Sequence, residues 1–511
     1  MSAKYKQIIN SRIFITAILV LIQLTWLVIF FTNLTKHYAL INALFTFLSV
    51  AIVLMIISKD ENPAFKIGWL IIIMISPLFG ALLYLTSGDK KPSRKLQATI
   101  NKEHVRWRDE LRQEELVLNE VRALRERAAG TCQYLNHLSG YPVYKNTEVF
   151  YYPVGEKMYE SMLEELEKAE HFIFLEYFII SEGIMWNRIL DILTRKAKEG
   201  LDVRLIYDDW GCLTVLPPGY VWEMEKRGIK CMSFNHVVPL LSLVMNNRDH
   251  RKIIVIDGHT AFNGGINLSD EYINEKERFG HWKDTGVKVI GEAVWNFTAM
   301  FLEMWNAFKK TDEEVDKFRP HVHHKQPFAT DGYVQPFADT PLDGESVAEN
   351  VYLEIINQAR HYVYIFTPYL ILDNEMKTAL CLAAKRGVDI RLVTPGVPDK
   401  KLTYRLTRSN YMPLLKAGVK IYEYTPGFLH AKSYVCDDEF GVVGTINMDY
   451  RSLYLHFECG TFFYRSKAVK DLKRDAIKTI EESREVSKKD IKSGLIGSLV
   501  NAVLQVLAPL F

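Results

Sequence analysis

The sequence predicts an α/β protein of two similar halves packed side by side, preceded by amino-terminal transmembrane helices. Three observations carry this: a strand, helix, strand order that occurs twice, a His, Lys and Asp motif at the matching place in each copy, and uncharged apolar stretches confined to residues 1–90. Composition agrees. At 511 residues, 48% hydrophobic and 24% charged, the chain can bury a large core, and a disordered, collagen-like or disulfide-scaffold protein is excluded. With 63 Lys and Arg against 61 Asp and Glu there is no overall field to recruit nucleic acid. The six cysteines (Cys132, Cys212, Cys231, Cys381, Cys436, Cys459) form no C-x-x-C pair and no zinc-type spacing with histidine, so they read as reduced thiols.

Residues 13–35, 38–58 and 67–87 carry no charge, and each is long enough to cross ~30 Å of hydrocarbon at about 1.5 Å per residue. Lys4, Lys6 and Arg12 precede the first stretch and Lys90, Lys91, Arg94 and Lys95 follow the third, so both flanks are expected in the cytoplasm. Two spans satisfy that and three do not. The third stretch, which contains Pro77 and Gly80, is therefore expected to be re-entrant or interfacial, with three full spans as the alternative. The protein is expected to be integral to a membrane with its body on the cytoplasmic side.

The expected division is a membrane segment 1–91, a charged helical connector 92–145 whose main helix Gly130 closes, a first half 146–325, a second half 326–490 and an apolar tail 491–511. The connector reads as a solvated spacer. Gly494, Gly497 and Pro509 interrupt the tail, which is expected to lie on a surface or dock on the core rather than span.

In the first half HFIFLEYFII (171–180) reads as a buried strand, ILDILTRKAKEG as a helix ending at Gly200, and LDVRLIYDD as the next strand. In the second, HYVYIFTPYLI (361–371), MKTALCLAAKRG ending at Gly387, and VDIRLVTP repeat the order. A further helix and strand follow in each, through Gly228 and Gly418. This is the sequence form of right-handed βαβ units.

Each half then reaches H-x-K-x-x-x-x-D: His250, Lys252 and Asp257, then His430, Lys432 and Asp437. Gly264 and Gly444 follow their histidines by 14 residues, and Asn267 and Asn447 by 17. On a strand, residues two apart share a face, so His and Lys project together, whereas the odd offset turns the Asp away. These six are the candidate catalytic residues, with Asp257 and Asp437 expected to be structural. Two His, two Lys and two Asn can hold a phosphate with neither metal nor Gly-rich loop, and they suggest a two-step displacement in which one imidazole attacks phosphorus and the other moves the proton. A nucleophilic imidazole needs a carboxylate to fix its tautomer. Asp284 and Glu458, 34 and 28 residues after the two histidines, are proposed as orienting acids, with the partner of each left open. Two other features carry less: HVHHK (His321, His323, His324) reads as a solvated loop, and Asp208 and Asp209 either face a headgroup or end a strand.

The paired motifs followed by G-G-x-N and G-T-x-N resemble the phospholipase D superfamily. NPAFKIGWLIIIMISPLFGALLY, LEYFII, VRLIYDDWG, NNRDHRKIIVIDG, GGINLSDEY, TPYLILDNEM and FLHAKSYVCDDEFGVVGTINMDYRSLYLHFE narrow the likeness to the bacterial cardiolipin synthases. The resemblance implies two phospholipase D-like halves and transfer of a phosphatidyl group from one phosphatidylglycerol to another, giving cardiolipin and glycerol through a phosphohistidine, without metal or cofactor. It implies His250 as nucleophile, His430 as general acid and then base, and Lys252, Lys432, Asn267 and Asn447 on the phosphate. Position 445 is Thr where position 265 is Gly, so Thr445 adds a hydroxyl donor to one half. The implied partners are phosphatidylglycerol and membrane lipids, not nucleic acid, and a homo-oligomer is compatible with the sequence. Water or another lipid alcohol as acceptor would make the same site a phospholipase D-type hydrolase or transphosphatidylase. A membrane scaffold with an inactive site is disfavoured, because both motifs are complete.

Overall fold

The computed structural model describes residues 21, 25–26, 28–29, 32, 39–88, 94–236, 247–309, 311, 314–491 and 494–510. Two mixed sheets form its body. The first has seven strands in the order β1-β8-β6-β5-β2-β3-β4. They are β1 (Thr147–Tyr152), β2 (Phe172–Tyr177), β3 (Asp202–Asp208), β4 (Lys230–Phe234), β5 (Lys252–Ile256), β6 (Thr260–Gly264) and β8 (Gly286–Gly291), with β7 (His281–Lys283) lying outside the sheet. β2, β3 and β4 are parallel, and β5, β6, β8 and β1 continue antiparallel.

The second sheet repeats the plan with eight strands in the order β17-β12-β11-β10-β14-β15-β16-β9. Its members are β9 (Tyr333–Asp339), β10 (Tyr362–Phe366), β11 (Asp389–Pro395), β12 (Lys420–Tyr424), β14 (Ser433–Cys436), β15 (Phe440–Gly444), β16 (Glu458–Tyr464) and β17 (Ser483–Glu485); β13 (Gly427–Leu429) pairs instead with β7. Only the strand, helix, strand portion of each half is parallel. Each motif strand lies antiparallel to its central neighbour and returns by a hairpin to a further antiparallel strand.

β2 and β10 are buried at every position, which explains their unbroken apolar runs. The helices Gly155–Lys168 and Ile184–Lys198 bury one stripe each in a core that includes Ile173, Leu175 and Ile254. The inner faces of the two sheets share a single core with the helices Val294–Phe308 and Lys467–Glu481. Val294–Phe308 is apolar nearly all round because it is enclosed; burying one of its large rings, such as Phe301, contributes about 2–3 kcal/mol. At the junction of the halves, Asn263 on β6 donates to Cys459 Sγ on β16 (3.1 Å) and accepts from Thr461 Oγ1 (3.1 Å).

The charged stretch after residue 92 departs from expectation. It folds as the helices Arg94–Trp107, Glu115–Leu124 and Glu126–Ser139, and Gly130 lies inside the last of them. Val117, Leu118, Val121, Ala128, Ala129, Cys132 and Leu135 belong to the core of the second half, so the segment is no solvated spacer. Tertiary burial carries the helix past Gly130, and Gly140, at φ +79°, supplies the left-handed stop.

The apolar stretch 67–87 is not one helix. Pro63–Ile75 and Pro77–Ser87 meet at Ser76, where Pro77 removes an amide donor, and they pack closely because a side chain on Gly80 would strike the backbone of Ile72 and Ile73. The preceding helix is Ala39–Ser58, and Ser49 donates to the Pro77 carbonyl (2.8 Å). Among the described residues no helix is long and apolar enough to cross a membrane. The expected span over 13–35 lies almost wholly outside the described residues, as do Lys4, Lys6, Arg12, Lys90 and Lys91.

Candidate active site

Both motif histidines sit just ahead of their strands rather than within them, because each is held by the other half. The His250 amide donates to the Phe457 carbonyl (2.8 Å), and the Phe457 amide donates to the Arg248 carbonyl (2.8 Å). The equivalent contact in the other direction is the parallel pair β13 and β7, which ends with the His430 amide on the Lys283 carbonyl (2.7 Å). These two short pairings cross the junction and bring one acid to each ring. His250 Nδ1 donates to both oxygens of Glu458 (2.9 and 3.0 Å), and His430 Nδ1 donates to Asp284 Oδ2 (2.6 Å). Each half therefore orients the histidine of the other. Both acids are completely buried.

With Nδ1 committed as donor, Nε2 of each imidazole keeps its lone pair, the state a nucleophile or base requires. Lys432 Nζ also lies 2.9 Å from His430 Nδ1, but one ring nitrogen cannot donate to Asp284 and accept from a lysine. The shorter carboxylate contact sets the tautomer, and Lys432 Nζ finds its acceptor in the His430 carbonyl. Lys252 Nζ donates to the His250 carbonyl in the same way (2.6 Å).

The remaining motif residues serve the scaffold. Asp257, at φ +49°, closes the far end of β5, and its carboxylate accepts from the amides of Glu170, His171 and Phe172 (each 2.8 Å). Asp437, at φ +51°, does the same for Arg360, His361 and Tyr362 (2.7 to 2.9 Å). Neither carboxylate reaches the histidines. Asn267 donates to Tyr272 (2.7 Å) and accepts from the Ile179 amide (3.0 Å). Asn447 donates to Ser452 (3.1 Å). Thr445 donates to Glu458, so its hydroxyl is spent on the acid rather than turned to a ligand. Gly265 has no side chain for a matching reason: a Cβ there would collide with the Asp284 carboxylate.

The family model described as "Cardiolipin synthase, PLD-like domain" matches residues 162–305 and 352–479, together more than half the chain, and "Phospholipase_D-nuclease N-terminal" matches 44–88. A cardiolipin synthase of a Geobacillus species is 34% identical over 90% of this chain and 92% of its own. The chain belongs to the cardiolipin synthase family of the phospholipase D superfamily. An uncharacterized protein of Streptococcus mutans is 46% identical over 90% of this chain and 99% of its own. The phosphatidylserine synthase of Haemophilus influenzae shares the fold, with a TM-score of 0.55 at 14% identity, covering 75% of this chain and all of that one.

The electrostatics of this cardiolipin synthase family site keep both imidazoles neutral. Burial first, then Lys252, Lys432 and His430, hold His250 well below the ordinary histidine range. Burial and Lys432 bring His430 down to about 4, against the pull of Asp284. Burial lowers Lys252 to about 8 and Lys432 to about 7. Burial would raise the Asp284 carboxyl, but His430 and Lys432 outweigh it and leave it below the usual range. The protein's own groups leave the site short of negative charge, which a phosphodiester anion would supply.

Several neighbours were not legible as site residues. Phe178 packs edge-on against His250 at 4.8 Å, and Tyr272 does the same to His430 at 5.4 Å. Asp208 accepts from the Asp249 amide (3.0 Å) and so steadies the segment carrying His250, which makes it a positioning residue. His323, half-buried, donates to the Lys317 carbonyl (2.8 Å) and stacks on His171, in a stretch where His321, Val322 and Lys325 are exposed. His456, two residues before Glu458, lies with its ring 5.5 Å from His250 and its Nδ1 3.8 Å from Glu458, and neither ring nitrogen has a hydrogen-bond partner. His250, His456 and Glu458 form the one group among the described residues whose ligand atoms converge enough to hold a metal ion. The group shares His250 and Glu458 with the orienting contact described above.

Burial lowers His456 from 6.5 to about 4. Its folded value lies below its unfolded one, so its contribution to stability is whole above pH 6.5 and is lost as pH falls towards 4, a difference of about 3 kcal/mol. The thermal midpoint is expected to drop over that window, and His456→Asn should flatten the drop; an unchanged profile would contradict the assignment.

Proposed function

We propose that the chain is a cardiolipin synthase, transferring a phosphatidyl group between two phosphatidylglycerol molecules. The observation that carries this is the cross-paired site: two buried neutral imidazoles, each fixed through Nδ1 by the other half's carboxylate and flanked by a lysine.

In the first step His250 Nε2 attacks phosphorus and the bond to the glycerol headgroup breaks, while His430 Nε2–H protonates the departing alkoxide. Burial and Lys432 hold His430 neutral in the free site, and a bound phosphate anion opposes both, so the imidazole takes up its proton at Nε2 as the substrate binds. In the second step the terminal hydroxyl of another phosphatidylglycerol gives its proton to His430 and its oxygen attacks phosphorus, and the bond to His250 breaks. Lys252 and Lys432 stabilise the equatorial oxygens, with Asn267, Asn447 and Thr445 holding the strands and acid that frame them. Burial, both lysines and His430 hold His250 well below the ordinary histidine range, whereas Asp284 offsets part of the same burial and lysine effects at His430, which supports His250 as the nucleophile.

The uncharged stretches and the match over residues 44–88 support an integral protein of the bacterial cell membrane, with its body on the cytoplasmic side. In this reading the chain divides into membrane segment 1–91, connector 92–145, halves 146–325 and 326–490, and tail 491–511.

The test is incubation of detergent-purified protein with labelled phosphatidylglycerol and excess chelator, with products resolved by mass. Cardiolipin and free glycerol are expected in equal amounts, and the chelator should leave the rate unchanged. Phosphatidic acid alone would make water the acceptor, and a rate lost to chelator and restored by a divalent ion would overturn metal-free chemistry.

A further inference from the structure

The carboxy-terminal helix Leu495–Val506 has two faces that differ in kind. At about 100° per residue, Gly497, Asn501, Leu504 and Ala508 fall on one side. Leu504 and Ala508 are buried against Phe65, Leu406 and Tyr450, and Arg405 donates to Asn501 Oδ1 (2.9 Å) and to the Gly497 carbonyl (3.2 Å). On the other side stand Leu495, Ile496, Leu499 and Val503, exposed at 93, 81, 67 and 53%. The helix contains no charged residue. A face turned to water would not be built this way.

Two further observations say what covers it. First, the face continues into the amino-terminal apolar helices. Gly68 on Pro63–Ile75 lies against the backbone of Val506, with only 3.7 Å between the Val506 carbonyl and the place a Cβ would occupy, and the neighbouring Ile67, Met74 and Ile75 are exposed. Second, the helix Lys401–Ser409, on which the tail is docked, presents exposed Lys401 and Arg405 beside it, preceded by exposed Lys400. An uncharged apolar face bordered by cations suits an anionic lipid leaflet, with the aliphatic side chains among the acyl chains and the cations at the phosphates.

We propose that Leu495–Val506 is an interfacial anchor, lying flat in an anionic leaflet and holding the site against the surface that supplies its substrate. The coupling to the site is direct. The helix Tyr450–Tyr454, three residues beyond Asn447, packs Tyr450 and Tyr454 on Phe65 edge-on at 5.5 and 5.7 Å, and the Asn62 side chain donates to Tyr454 (2.9 Å) and Asp373 (3.0 Å). Terminal anchor, membrane segment and second motif thus form one packed unit. The proposal rests on the lipid-substrate reading for the choice of leaflet, but its test does not involve turnover.

The full chain, with Cys381→Ala to remove the one cysteine that is not buried, would carry a single environment-sensitive fluorophore at Leu499→Cys or, as a control on the polar flank, at Gln505→Cys. In phosphatidylglycerol vesicles with brominated acyl chains, the label at 499 is expected to be quenched several-fold more than the label at 505. Equal quenching at both positions, or none at 499, would overturn the anchor. Disulfide cross-linking between chains of the unlabelled Leu499→Cys variant, without quenching of its labelled form, would overturn it too and would assign the face to a second copy. Because quenching is read without product formation, a chain that made no cardiolipin would leave this result standing.

Discussion

His250→Ala is expected to abolish cardiolipin formation, with a loss of at least about 10⁴-fold, because it removes the nitrogen that forms the covalent intermediate. The ring is held for attack by its acid, by the Phe178 edge and by the backbone contact to Phe457. His430→Ala should cost as much on phosphatidylglycerol, yet the two variants are expected to part company on a substrate whose leaving group departs without a proton, such as a nitrophenyl ester of phosphatidic acid. There His430→Ala should release one equivalent of nitrophenol in a burst and stall as a phosphohistidine, while His250→Ala should release none. The opposite pattern would exchange the roles of the two histidines, and a burst in both would remove the phosphohistidine from the mechanism.

Glu458→Gln is expected to lower turnover by about 10³- to 10⁴-fold through its effect on His250, and Asp284→Asn to do the same through His430. An amide in place of Glu458 would lose the charge that holds the Nδ1–H tautomer and would set an N–H against either His250 or Thr445, both of which now donate to it. The two variants differ in which step they damage. Nitrophenol release should survive Asp284→Asn and fail in Glu458→Gln, although Asp284 belongs to the half that carries His250. Were the acids paired within their own halves, the survivors would be exchanged. Thermal midpoints of both proteins guard against simple misfolding, since each acid is fully buried.

Much of this was legible in the chain. The repeated strand, helix, strand order, the two His and Lys pairs, and the presence of a matching acid in each half are all local patterns, and period, turn residues and chemical type reveal such patterns without a structure. Asp257 and Asp437 are expected from the sequence to be structural, and their carboxylates do bond backbone amides, but they lie just past the strand ends, where a positive φ rather than strand alternation sets their direction. The connector reads as solvated in the sequence because its charged composition outweighs a stripe of seven buried side chains that pack into the distant core of the second half, where Gln335 donates to the Cys132 carbonyl. His456 went unremarked because a histidine near a motif has no meaning until a second histidine is brought to its face.

Local sequence is enough to establish the fold class, the two motifs and the apolar character of both termini, because backbone periodicity and side-chain chemistry are carried by neighbouring residues. Three-dimensional packing was needed to assign each acid to the other half's histidine, to show that Thr445 and Gly265 shape those acids, and to leave the carboxy-terminal helix with an apolar face uncovered. The cause is the same in each case: the contact lies across the junction of two sheets or between opposite ends of the chain, where the geometry is set by packing rather than by spacing along the sequence.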